Sequence, residues 1–213
     1  MKRLIGLLLG LLLPLSAKDW EKDIVKLEAK AEAANHAKGG YLFVGSSSIR
    51  MWDLKASFPE WSTINHGFGG SQLSDSIQYA DRIVIPFAPK VVFLYAGDND
   101  VAKGKSAEVV IADFKTFVAK IHQALPETKI VFLPIKPSLS RWELWPEMNQ
   151  ANQAIRKIAE GDKKLGYIDT ATPMLGKDGK PMPDLFKKDG LHLNDKGYAV
   201  WNKVVIEWVA ASK

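Results

Sequence analysis

The chain contains no cysteine among its 213 residues. This absence excludes a disulfide framework and the attachment of a lipid to a cysteine, so the fold must rest on its hydrophobic core. Histidine is also scarce, with four residues, and no spacing of His, Asp and Glu matches that of metal ligands. We therefore expect no metal site.

Neither positive nor negative residues are concentrated in one segment of the chain. The formal net charge is +5, and the lysines are scattered. Because no basic stripe with interleaved aromatic residues is present, nucleic acid is not an expected partner. The glycines at residues 67–70 are too closely spaced for a dinucleotide-binding fingerprint and lack its downstream context. We expect no cofactor.

The first 17 residues differ from the rest of the chain. Lys2 and Arg3 precede a leucine-rich run and the small residue Ala17, which is typical of a secretory signal peptide. The run is shorter than the roughly 20 residues that span a bilayer. We predict a signal peptide over residues 1–17 and one domain over residues 18–213, in a secreted or periplasmic protein. The alternative is an uncleaved anchor, and membrane contact is expected only in that case.

Apolar segments and helical patterns alternate along the predicted domain. Strands are expected at residues 41–45, 62–66, 90–95, 129–133 and 167–169, and helices at residues 18–38, 106–125, 146–161 and after Asn194. This alternation predicts a parallel sheet that is covered by helices on both faces. Ligands bind beyond the carboxyl ends of the strands in such sheets, so the loops after the first three strands are expected to meet at one site.

Two distant segments offer the parts of a nucleophilic serine site. The first predicted strand runs into Gly45 and three serines, and residues 189–192 (DGLH) precede the last helix. A serine hydroxyl becomes nucleophilic when a base takes its proton, and a carboxylate can fix the tautomer of an imidazole base. We predict a triad of Ser47, His192 and Asp189, although each motif alone is also typical of a turn or cap.

Two further loops carry hydrogen-bond donors. Residues 66–71 (HGFGGS) contain three glycines, whose backbone N–H groups can approach a ligand closely. Residues 96–100 (AGDND) contain Asn99, whose side-chain amide is a neutral donor. Together these are the parts of an oxyanion hole. Asp98 and Asp100 are expected to cap their loop rather than bind a cation.

The ordered blocks of the chain resemble the SGNH (GDSL-type) hydrolase superfamily. The nearest branch is similar to the catalytic subunits of platelet-activating factor acetylhydrolase. This resemblance implies a three-layer α/β/α sandwich with a five-stranded parallel sheet of the flavodoxin-like type, and it extends over nearly the whole predicted domain. The blocks that carry it are residues 45–49, 67–70, 97–100 and 189–192.

The resemblance also assigns roles to individual residues. It implies that Ser47 is the nucleophile and that the N–H groups of Ser47 and Gly70 form the oxyanion hole with the Asn99 side chain. Ser46 stands where the family usually has an aspartate. Because three serines are adjacent, the choice of Ser47 over Ser46 or Ser48 depends on the alignment.

The predicted activity is that of an exported serine esterase. No long apolar lid follows the nucleophile turn, which favours short acyl groups such as acetyl, and an O-acetylated carbohydrate is the substrate expected from context. A small-molecule ester is equally compatible, and a lipid or lysophospholipid is the alternative within the same enzyme class. The alternative of a different class is a non-catalytic glycan-binding module on the same fold. The oligomeric state is left open.

Three side chains near the predicted site have open roles. Arg50 is expected to pair with an acidic group such as Asp75, and the alternative is a contact with a substrate carboxylate. Trp142 and Trp145 flank the loop after the fourth strand. They fit a sugar-stacking platform, an acyl-binding wall or a cover over the edge of the core.

Overall fold

The computed structural model describes residues 19–34 and 38–212. The predicted leader, residues 1–17, lies outside this part of the chain. The strands are β1 (Tyr41–Gly45), β2 (Thr63–Gly67), β3 (Val91–Tyr95), β4 (Lys129–Phe132) and β5 (Leu165–Tyr167). The helices are α1 (Glu21–Ala33), α2 (Ser47–Arg50), α3 (Leu54–Ser57), α4 (Leu73–Gln78), α5 (Ala80–Ile83), α6 (Asp98–Ala102), α7 (Ala107–Ala124), α8 (Trp145–Glu160) and α9 (Asp195–Ala211).

All five strands are parallel and lie in the order β2-β1-β3-β4-β5. This is the flavodoxin-like order, in which the direction of winding reverses between β1 and β3. The predicted fold class is therefore confirmed. Open sheets of this type bind ligands outside the carboxyl ends of the strands at the reversal, which is where the predicted serine and asparagine loops leave the sheet.

The alternation of side chains along each strand builds two separate cores. In β1, Leu42 and Val44 pack into one core while Tyr41 and Phe43 pack into the other. Helices α1 and α4 to α8 contribute to the first core, and α2, α3 and α9 contribute to the second. Because the central strands β1, β3 and β4 are apolar on both faces, the sheet is stable only when helices cover both sides. The result is the expected three-layer sandwich.

The long helices follow the apolar periodicity of the sequence. In α7, residues at helical spacing such as Val110, Phe114 and Phe117 are fully buried. Pro146 lies in the first turn of α8, where its missing N–H has no helical partner to lose. Asn194 caps α9, since its side chain accepts hydrogen bonds from the N–H groups of the second and third residues of the helix.

Some predicted boundaries were wrong. The last strand is Leu165–Tyr167 rather than residues 167–169, because Asp169 instead accepts N–H groups in the following turn. Helix α1 covers Glu21–Ala33, which is shorter than the expected residues 18–38. The expected loop around Asn99 is the short helix α6. Helices α2 to α5 were not predicted, since four to six residues carry too little periodicity to detect.

Gly45 connects β1 to the predicted nucleophile in a conformation that side chains rarely adopt. Its φ is +137°, and a Cβ added there would lie 1.8 Å from the carbonyl oxygen of Tyr95. Two features therefore require glycine at this position: the backbone angle and the close approach of β3.

We predict that Gly45→Ala lowers the free energy of unfolding by at least about 3 kcal/mol. Gly179→Ala is the matched control, since Gly179 also has a positive φ, of +73°, but has open space around it. Its expected cost is about 1 kcal/mol, from backbone strain alone. Chemical denaturation of both variants measures the difference. Equal costs would contradict a steric role for Gly45.

Candidate active site

Ser47 lies at the carboxyl end of β1, as the first residue of α2, and is 8% exposed. Two contacts hold this short helix in place from outside. The Tyr198 hydroxyl donates to the carbonyl of Ser48 at 2.9 Å, and the Asn65 side chain donates to the carbonyl of Ile49 at 2.7 Å. Since α2 is only one turn long, these contacts from α9 and β2 fix the position of the Ser47 hydroxyl.

The structure brings the three predicted triad residues together. The Nε2 atom of His192 lies 3.0 Å from the Oγ of Ser47, and its Nδ1 atom lies 2.6 Å from a carboxylate oxygen of Asp189. With Nδ1–H donating to Asp189, Nε2 is the lone-pair nitrogen and faces the hydroxyl. This is the arrangement in which an imidazole can take the serine proton.

Asp189 is held by its own turn. Its Oδ1 atom accepts the N–H groups of Leu191 and His192, both at 2.9 Å. The hydrogen bonds from the His192 ring and from these two N–H groups hold the pKa of the Asp189 carboxyl well below its usual value. The group therefore stays ionised as the pH falls, and it remains able to orient the imidazole.

The three adjacent serines have different surroundings. Only the Ser47 hydroxyl is within hydrogen-bond distance of His192 among the described residues. The Ser46 hydroxyl points to Asp98 Oδ1 at 3.5 Å. The Ser48 hydroxyl is buried and interacts with the Tyr95 phenol. This geometry favours Ser47 as the nucleophile, an assignment that remains a prediction.

The loop of residues 68–71 joins the Asn99 loop to the end of β1. The Asn99 amide donates to the carbonyl of Ser71 at 2.9 Å, and the Phe68 N–H donates to the carbonyl of Gly45 at 2.9 Å. The Ser71 hydroxyl donates within the loop, to the carbonyl of Phe68 at 2.8 Å. Gly70, the residue before Ser71, lies half-buried in the turn after β2. The structure thus gathers the loops that carry Ser47, Gly70 and Asn99 at one edge of the sheet.

A buried charged cluster that sequence analysis missed lies beside Asn99. Asp98 is 3% exposed and accepts the N–H of Asn99 at 2.9 Å. Two cations approach its other carboxylate oxygen: Lys136 at 3.5 Å and Arg141 at 3.4 Å. Lys136 is 1% exposed and also donates to the hydroxyl of Tyr95 at 3.0 Å.

Burial controls the electrostatics of this cluster. Removal from water lowers the pKa of the Lys136 ammonium and raises the pKa of the Tyr95 phenol. Asp98 opposes the first shift, since its negative charge stabilises the ammonium. The only sequence signal for Lys136 and Arg141 was their position after the fourth strand, at the edge of the sheet where ligands bind.

The other candidates have more ordinary contacts. Among the described residues Asp75 has no ion pair with Arg50, contrary to expectation, because its carboxylate accepts the backbone N–H of Gln72 in a capping box. Trp142 and Trp145 stack on each other, with ring centroids 6.0 Å apart and planes inclined by 15°. Both are half-buried, and Trp145 packs against the first core. Trp145 therefore covers the edge of the core, and the exposed part of the pair remains compatible with a contact to substrate.

Metal-binding clusters and membrane-spanning helices are both absent from the residues that the structure describes. Within residues 19–34 and 38–212, no group of three or more His, Asp or Glu side chains is arranged to bind a metal ion. Asp100, one of the acidic residues considered, is instead bound to the N–H of Leu73 and to Lys105. The helices that the structure describes include none long and apolar enough to cross a membrane.

The chain is similar to known proteins over most of its length. The sequence profile of the GDSL-like lipase/acylhydrolase family matches residues 45–200. Platelet-activating factor acetylhydrolase IB subunit alpha1 from Pongo abelii is 25% identical over 165 residues, which are 74% of this chain and 70% of that protein.

Solved structures show the same fold. A putative platelet-activating factor protein from Streptococcus pneumonia superposes with a TM-score of 0.77 at 21% identity, covering 88% of this chain and 92% of the other. An acetylxylan esterase from Geobacillus stearothermophilus superposes with a TM-score of 0.64 at 16% identity, covering 80% and 94%. At these identities the likeness carries the fold alone.

We predict that a reactive organophosphate labels Ser47, because only an activated hydroxyl attacks such a probe at an appreciable rate. Ser47→Ala should not be labelled, whereas Ser48→Ala, the matched control, should be labelled like the parent. Intact-mass measurement and peptide mapping identify the modified residue. Label on Ser46 or Ser48 would contradict the assignment, and a folded parent that takes no label would favour a non-catalytic module.

Proposed function

Since this chain belongs to the GDSL-like lipase/acylhydrolase family and is a carboxylic ester hydrolase, we propose that Ser47, His192 and Asp189 are its catalytic triad. The observation that carries the proposal is the 3.0 Å distance between the Ser47 hydroxyl and His192 Nε2, with Asp189 on the opposite ring nitrogen. These residues are 145 and 3 positions apart in sequence, and the fold arranges them in the order that proton transfer requires.

The reaction proceeds in two halves. Ser47 Oγ attacks the ester carbonyl carbon as His192 Nε2 takes its proton, and the carbonyl oxygen becomes an oxyanion. The bond to the alcohol then breaks, Nε2 returns the proton to the leaving oxygen, and the acyl group stays on Ser47. A water molecule then attacks the acyl carbonyl carbon as Nε2 takes its proton. When this second intermediate collapses, the acid is released and Nε2 returns the proton to the Ser47 oxygen.

Three donors are proposed to stabilise the oxyanion. The N–H of Ser47 is free of helical partners because it belongs to the first residue of α2. The Gly70 N–H and the Asn99 side-chain amide come from the neighbouring loops. One Asn99 amide proton is used by the Ser71 carbonyl, which leaves the second available to a reacting oxygen.

The surface around the triad favours a short acyl group. Among the described residues, the large hydrophobic side chains that are strongly exposed are Val25, Val109, Leu139 and Ile206. Only Leu139 lies beside the triad loop, where it packs against Gly190. A long acyl chain would find little apolar surface to cover. An acetyl group needs none, and acetyl is the group named in both the acetylhydrolase and the acetylxylan esterase described above.

We favour an O-acetylated carbohydrate as the substrate of an exported enzyme. The stacked pair of Trp142, in the loop after β4, and Trp145, at the start of α8, offers an aromatic surface of the kind on which sugar rings pack. The leader-like residues 1–17 would carry the protein to compartments where acetylated polysaccharides occur.

We predict that kcat/KM falls steadily along a series of para-nitrophenyl esters from acetate to octanoate, because the described residues beside the triad loop offer longer chains little exposed apolar surface. Acetate release from acetylated xylan should accompany activity on the shortest ester. Ser47→Ala provides the background rate in both assays. A rate that rises with chain length would favour a lipase or lysophospholipase, and activity on short esters without acetate release would remove the carbohydrate assignment.

We predict that His192→Ala lowers kcat/KM by at least about 1,000-fold, similar to Ser47→Ala, because triad members act as a unit. Asp189→Ala should cost less, since a misoriented imidazole retains some basicity. His122→Ala is the control, because His122 lies on α7 and contacts the carbonyl of Thr128. Parent-like turnover by folded His192→Ala would rule out this triad.

A further inference from the structure

The two ends of the Asn99 amide are chemically opposite. The NH₂ group can donate to an oxyanion, whereas the oxygen would repel it. Rotation by 180° about the last side-chain bond exchanges the two with almost no change in shape. An asparagine that acts as an oxyanion donor therefore needs contacts that distinguish its oxygen from its nitrogen.

Arg141 supplies such a contact. Both terminal nitrogens of its guanidinium donate to the Asn99 oxygen, each at 3.1 Å. A guanidinium has only donors, so the atom it faces must be the amide oxygen. On the other side, the carbonyl of Ser71 can only accept, so the atom it faces must be the NH₂ group. The two contacts together permit one orientation of the amide.

Arg141 is itself held on two sides. Its guanidinium lies 3.4 Å from Asp98, whose position is fixed by the buried Lys136. Its backbone belongs to the loop after β4, where the neighbouring N–H of Ser140 donates to the carbonyl of Gly190 at 3.1 Å. The side chain is 19% exposed, so water competes little for its hydrogen bonds.

We propose that Arg141 is a positioning residue that fixes the Asn99 amide with its NH₂ group toward the reacting oxygen. The guanidinium also withdraws electron density from the amide oxygen, which makes the N–H bonds stronger donors. This inference rests on the proposed function, since it requires that Asn99 belong to the oxyanion hole. Arg141 then acts through Asn99 and needs no contact with the substrate.

A double-mutant cycle on the full chain tests this dependence. With para-nitrophenyl acetate as substrate, Asn99→Ala should lower kcat by about 100- to 1,000-fold, the usual cost of losing one oxyanion donor. Arg141→Met should lower kcat by about 10- to 100-fold, the cost of a misplaced catalytic group, with KM changed less than about 3-fold. The combined variant should be no slower than Asn99→Ala alone, because Arg141 has nothing left to orient.

Two further variants complete the design. Arg141→Lys keeps the charge but offers a single ammonium in place of the planar fork, so its kcat should lie between those of the parent and Arg141→Met. Arg156→Met is the matched control, because Arg156 pairs with Glu160 on the outer turn of α8, and it should keep the parent kcat. Thermal melting of every variant establishes that folded protein is compared.

Each result has one meaning. A parent-like kcat for Asn99→Ala would overturn the proposed oxyanion role and this inference with it. A large loss in Asn99→Ala beside a parent-like Arg141→Met would overturn the inference alone. Losses that multiply in the combined variant would also overturn it, since Arg141 would then act independently of Asn99. If Arg141→Met does not fold, the cycle is run with Arg141→Lys. The reduction in kcat that Arg141→Lys causes must then disappear when Asn99 is already alanine. A parent-like kcat for Arg141→Lys would overturn the inference.

Discussion

The carboxyl ends of three neighbouring strands, held in register, are the constraint on which the site depends. Gly45 at the end of β1 pairs with Gly67 of β2 on one side and with Tyr95 of β3 on the other. The loops that carry the predicted nucleophile and oxyanion donors therefore leave the sheet at the same level. Residues 68–71 join them, since the Phe68 N–H donates to the Gly45 carbonyl and the Ser71 carbonyl accepts from the Asn99 amide. Since both faces of the sheet are closely packed, these loops cannot shift independently.

The charged cluster beside Asn99 is explained by its effect on the position of Asn99 and not by a gain in the stability of the fold. Replacement of a buried ion pair by apolar residues is often neutral or stabilising, because removing charges from water is costly. Asp98 nevertheless lies buried between Lys136 and Arg141. Its carboxylate also accepts the backbone N–H of Asn99. The cluster thus fixes the backbone of Asn99 through Asp98 and its side chain through Arg141.

Sequence reasoning succeeded where the signal is local. The positions of β1 and β3 followed from continuous apolar runs, and residues 189–192 carry the spacing that places an aspartate beside a histidine ring. The triad roles were inferred from the residues themselves, and the choice of Gly70 among the loop glycines came only from the family resemblance; all of these roles remain predictions. The last strand was misplaced because three residues give little pattern. Lys136 and Arg141 were missed because their common partner, Asp98, lies 38 and 43 positions away, and a single charge does not reveal a distant partner.

The proposed base and oxyanion donors are supported by two long loops that lie outside the sheet. The loop of His192 and the loop of Arg141 cross at Gly190, whose carbonyl accepts the N–H of Ser140 and against which Leu139 packs. Catalysis requires the base and the donors to act on one ester group at the same time, within fractions of an ångström. The strands alone fix only the nucleophile and the start of α6. The contact at Gly190 therefore joins the loop of the proposed base, His192, to the loop of Arg141, which holds the proposed oxyanion donor Asn99.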